Sequence, residues 1–131
     1  MTQTLTDWLA SLKCTDVTAC TVTIEGTTYQ GASYIDPNHD SRERIYLLGK
    51  LPACYRRSTH TCFRFAGDTR DWYIAAYMPA ERLTDKYLPF HLFGEHFMLF
   101  PWGVPDGSAI DRYEERPYAR VSATLTKEVT K

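Results

Sequence analysis

The chain has 131 residues, 44% of them hydrophobic and 24% charged, with a formal net charge of −1. That suits one ordinary domain with its own core; it excludes a disordered tail and a protein that coats nucleic acid through bulk charge. No run approaches the roughly 18 apolar residues of a membrane-spanning helix, and residues 1–13 lack the basic start and apolar stretch of a secretory leader. One domain over residues 1–131 is expected, in the cytoplasm, where cysteines stay reduced.

Residues 4–13 read as an amphipathic helix, because Leu5, Trp8, Leu9 and Leu12 recur at i, i+3, i+4 and i+7. Thr4 is its cap, and Asp7 completes an imperfect capping box. Cys20, Val22 and Ile24 then alternate with Thr21, Thr23 and Glu25, the pattern of a half-buried strand. Gly26-Thr27 is the expected hairpin turn, and the chain returns over residues 28–35. The turn-forming run 36–40 (DPNHD) breaks it. A third strand covers residues 44–48, and residues 50–57, with Pro52, read as a loop or sheet edge.

Strands over residues 59–65 and 72–78 flank the turn at residues 66–69. Residues 79–83 suit a helical turn opened by Pro79. Residues 87–107 are dense in aromatics and prolines, with a sixth strand at 97–100 and turns after it; residues 108–115 read as a helical turn or loop. The clearest alternation comes last: Ala119, Val121, Ala123 and Leu125 inward, Arg120, Ser122 and Thr124 outward. The expected fold is mainly β (α+β), an antiparallel sheet of about seven strands forming a small barrel or sandwich, with a short N-terminal helix. A homodimer through the edge at residues 119–125 is a further expectation.

Charge is uneven along the chain. Residues 1–39 hold one Lys and four acids (−3), residues 40–71 seven Lys/Arg and four acids (+3), and residues 72–131 seven and eight (−1). The basic centre interleaves Arg56, Arg57, Arg64 and Arg70 with Tyr55, Phe63, Phe65, Trp72 and Tyr73. Single-strand binders combine cations with aromatic stacking platforms in this way. Protein interfaces favour Tyr, Trp and Arg over Lys, and this chain has nine Tyr, three Trp and twice as many Arg as Lys.

Catalytic signatures are thin. Cys54, His60 and Cys62 form a C-x5-H-x-C group, but the paired C-x2-4-C turns that usually deliver zinc ligands are missing. His91, Glu95 and His96 lack metallohydrolase spacing, and Gly94 interrupts any helix between them. There is no nucleophile elbow, phosphate loop or dinucleotide fingerprint. A Cys–His nucleophile pair would need a spatial contact that spacing does not supply. The expected function is therefore a non-catalytic module that binds another protein, as inhibitor, adaptor or accessory subunit, without a cofactor. Single-stranded nucleic acid is the alternative partner, and a small enzyme or zinc protein a lesser one. The candidate contact residues are Tyr55, Arg56, Arg57, Arg64, Arg70 and Trp72, with Phe90 and Trp102 as protein anchors.

Overall fold

Thr4 opens the first element of the computed structural model, which describes residues 3–38, 41–56, 61–79, 88–101 and 119–128. Its hydroxyl accepts a hydrogen bond from the Asp7 N–H at 3.1 Å and so caps α1, Leu5–Ser11. The helix ends sooner than its periodicity predicts, because Lys13 turns the chain with a φ of 68°. Strand β1 (Thr15–Ile24) begins five residues earlier than its alternation shows, since a register shift between Thr15 and Thr18 breaks the period there. The turn into β2 (Thr27–Ile35) is Glu25-Gly26, at φ 48° and 86°, one residue before the expected pair. Two left-handed residues in succession give the twist that a two-residue hairpin needs.

The remaining strands are β3 (Glu43–Leu48), β4 (Thr61–Phe65), β5 (Trp72–Met78), β6 (His96–Pro101) and β7 (Ala119–Lys127). They close in the order β1-β2-β3-β6-β5-β4-β7. Each neighbouring pair is antiparallel except β4 and β7, which run parallel from Thr61↔Ala119 to Phe65↔Ala123. The sheet is therefore mixed rather than wholly antiparallel. Geometry requires this, because directions cannot alternate all the way round a closed ring with an odd number of strands. Closure places β7 between two neighbours with offset ladders: it pairs with β4 through Ala119 to Ala123 and with β1 through Ala123 to Lys127, so the expected dimer edge at residues 119–125 is a shared strand of the barrel rather than the end of an open sheet.

The pleat sorts side chains into two cores. Val22, Ile45, Leu47, Phe63, Phe65, Trp72, Phe97 and Leu99 point inward, and all are at most 2% exposed. The barrel is thus filled by its own side chains. On the outer face, α1 lays Leu5 and Leu9 against Ala32, Tyr34 and Tyr46. The region expected as a loop holds a four-residue helix, α2 (Ala53–Arg56), which turns Tyr55 into the core edge-on to Phe63 at 5.5 Å. A third helix, α3 (Leu88–Phe93), is ended by Gly94 at φ 74°. Its Pro-Phe-rich sequence hid it from periodicity. The expected turns at 79–83 and 108–115 lie largely outside the described residues.

Gly31 marks the tightest approach in the barrel wall. A Cβ there would sit 2.2 Å from the Tyr46 carbonyl oxygen and 2.8 Å from Leu47 Cδ2. The carbonyl cannot step aside without opening the β2–β3 ladder. Gly31→Ala is expected to lower stability by about 3 kcal/mol, the upper range for overpacking, in a urea titration.

Candidate functional site

The barrel end shared by β7, β3 and the β4–β5 turn gathers several of the residues singled out from the sequence. Lys127 Nζ donates to Glu43 Oε2 at 2.5 Å, and Arg70 Nη2 donates to Glu43 Oε1 at 3.1 Å. Arg70 also forks onto Asp68, with Nε to Oδ1 at 3.0 Å and Nη2 to Oδ2 at 2.7 Å. Trp72 Nε1 donates to the same Asp68 oxygen at 3.2 Å, and the Arg70 guanidinium lies 4.7 Å over the Trp72 ring. The hydrogen bonds from Arg70 hold the Asp68 carboxyl down at about 2. This chain of contacts ties the start of β3, the end of β7 and the β4–β5 turn together.

The basic-aromatic stretch is therefore reassigned residue by residue. Trp72 is 0% exposed and Tyr55 7%, so neither ring is a stacking platform or an anchor for a partner. Both belong to the core because the pleat and the α2 turn aim them inward. Arg70 is engaged in that chain of contacts, and Arg64 donates to Asp71 at 2.7 Å on the outer face. Arg56 closes α2 and Phe90 lies within α3, while Arg57, His60 and Trp102 lie outside the described residues. Cys54 is exposed on α2 and Cys62 is buried on β4, and no group of three His, Cys, Asp or Glu suited to a metal occurs among the described residues. Burial pushes the Cys20 thiol up to about 11 and also raises Cys62 and Cys14, the opposite of an activated nucleophile. His91 is exposed on α3, whereas His96 stacks on Tyr46 at 4.7 Å, so the two histidines face different surroundings.

Two surfaces remain that sequence reasoning did not isolate. The first is apolar. Among the described residues the exposed large hydrophobics are Leu12 (47%), Leu88 (56%) and Leu92 (42%). None is on a strand. Leu88 and Leu92 are one helical turn apart on α3, and Leu12 follows Trp8 by one turn at the end of α1. Trp8 joins the two helices by meeting Phe93 edge-on at 5.9 Å. Leu12 had the spacing of a core residue, but the early end of α1 leaves it in water. The i, i+4 leucines, with Pro89 in the first turn, were a legible signal of a short helix.

The second surface is cationic. The Arg42 and Arg44 guanidiniums lie 5.5 and 5.3 Å over the Phe100 ring. Elsewhere on the outside of the barrel, Arg64 and Arg120 flank Asp71, Arg120 at 3.9 Å. No helix among the described residues is long and apolar enough to cross a membrane. Comparison with models of protein families, with characterised proteins and with solved structures finds no match to this chain. What defines the chain is its class, a small closed seven-stranded mixed barrel with a short N-terminal helix on its outer face.

Proposed function

We propose that this barrel is a non-catalytic module that binds a protein partner through the joined α1–α3 surface, with Leu12, Leu88 and Leu92 as contact residues. The observation that carries the reading is where the exposed large hydrophobics fall: on two helices linked by the Trp8–Phe93 contact, while the strands keep theirs inside. Clustered exposed apolar side chains mark interaction sites, and a few such residues supply most of the affinity. The filled barrel interior directs binding to the outside. The four cysteines are free thiols, which is in keeping with a cytoplasmic module.

A photo-crosslinking residue placed at position 92 tests this in cells, with Thr124, exposed on β7, as the control position. Position 92 is expected to capture a discrete protein that position 124 does not. Leu88→Asp with Leu92→Asp should then weaken binding of that protein by about 100-fold, with little change in thermal stability. Equal capture at both positions, or unchanged affinity in the double variant, removes the reading.

The cationic face supports a second reading, single-stranded nucleic acid, in which the guanidinium planes on Phe100 and the Arg64–Arg120 pair would track phosphates. Anisotropy of a labelled single-stranded oligonucleotide at low and moderate salt separates the two. Tight binding that falls steeply with salt, and is lost in Arg44→Ala with Arg120→Ala, favours the arginine face. No binding at low salt ends that reading.

A further inference from the structure

A cleft of about 400 Å³ lies between the first turn of α1 and the outer faces of four strands. Register builds its floor. Thr126 of β7 pairs with Thr21 of β1, Thr21 with Gln30 of β2, and Gln30 with Leu48 of β3. Neighbouring strands are about 4.8 Å apart, so these four side chains form one transverse row. Thr4, Leu5 and Thr6 of the α1 start form the wall.

The polar groups of this row are available. The Thr21 and Thr126 hydroxyls and the Gln30 amide make no hydrogen bond to another described side chain. The contrast with the next outward pair on the same hairpin is direct: Thr23 and Thr28 bond each other at 2.9 Å. Leu5 and Leu48 add apolar surface at the wall and at the end of the row. The charged groups nearby do not favour an ion. The Lys127 ammonium is held by Glu43 at 2.5 Å, and Glu128 is exposed, where water screens it.

The geometry points to a small-molecule site for an uncharged amphipathic ligand, an apolar body with a hydroxyl or amide edge laid along Thr126, Thr21 and Gln30. The volume lies within the range of ligand pockets, about 300–1,000 Å³. An amide edge offers both a donor and an acceptor to hydroxyls and a side-chain amide, which can each do both. A charged head would give up part of its water here, and the uncommitted charge on the lining, Glu128, is exposed and screened by solvent, so it returns little. This site is separate from the α1–α3 surface and does not depend on the proposed function.

The test uses one ring with three heads, titrated into the full-length isotope-labelled protein and read by backbone amide shifts. Cyclohexanecarboxamide is expected to give saturable, millimolar shifts at Thr21, Gln30 and Thr126. Cyclohexanecarboxylate and cyclohexylammonium should bind at least about tenfold more weakly. Thr21→Val, which keeps shape and strand preference while removing the hydroxyl, should weaken the carboxamide by about 3- to 10-fold. Thr21→Leu, which fills the cleft, should abolish the shifts while leaving the remaining spectrum in place. Absence of saturable shifts, equal response to all three heads, or carboxamide binding unchanged by Thr21→Leu each overturns the assignment.

Discussion

Trp72→Ala should reduce unfolding free energy by about 3–5 kcal/mol, the range for losing a buried aromatic. The ring is 0% exposed, packs 5.5 Å from Phe65, and lies on the strand position that pairs with Phe63 on one side and Pro101 on the other. Deleting it leaves a cavity that two strands and the β4–β5 turn would have to collapse to fill. It also removes an indole N–H from Asp68 and the aromatic face beneath Arg70. Because small domains hold only about 5–15 kcal/mol in total, the variant should unfold at a much lower denaturant concentration. Trp72→Phe separates the parts of the effect: it retains most of the packing and loses the hydrogen bond, so it should cost about 1–2 kcal/mol. A Trp that served a partner would behave oppositely, with binding lost and the urea midpoint unchanged.

The same residue shows what was legible in the sequence. Trp72 alternates with Ile74 on the inner side of β5, and the period of 2 placed it correctly on one face. Alternation does not say whether a face looks into a barrel or out to a ligand. Its neighbour Arg70 suggested a cationic face, and only the folded turn shows Arg70 committed to Asp68 and Glu43, the latter 27 residues away. The strands without a register shift, β3 and β7, were readable nearly to their ends. Where a register shift or a left-handed residue intervened, at Thr15–Thr18 and at Lys13, boundaries moved by several residues. The parallel β4–β7 contact pairs segments almost 60 residues apart and has no local signature. The helical surface was missed for a related reason. Leu88, Leu92 and Leu12 are apolar and helically spaced, which in most chains means burial, and their exposure depends on where α1 and α3 stop.

Acid should act on this fold in two separate steps, and the first belongs to His96. Its ring stacks on Tyr46 at 4.7 Å with planes 20° apart, and Tyr46 in turn meets Trp8 edge-on at 5.8 Å. Burial disfavours the imidazolium and lowers the pKa to about 4, against about 6.5 for an unfolded chain. The unfolded state therefore binds more protons between these values, and stability rises with pH there. It should be level above about 6.5, fall as pH drops toward 4, and lose on the order of 3 kcal/mol across that window. Asp68 has the opposite protonation chemistry at a lower pH. Its carboxyl, lowered to about 2 by Arg70, contributes stability that is complete above about 4 and is lost as pH falls toward 2. Urea midpoints from pH 8 to pH 2.5 should show both windows. His96→Gln should flatten the upper one, and Asp68→Asn the lower one, each leaving the other in place. Because His96 stacks on the ring that Trp8 contacts, tryptophan fluorescence should report the upper window as a loosening of α1 ahead of the barrel. A stability profile that stays flat from pH 6.5 to 4 in the wild-type chain would mean that His96 is charged in the folded state, and the stacked neutral pair with Tyr46 would have to be abandoned.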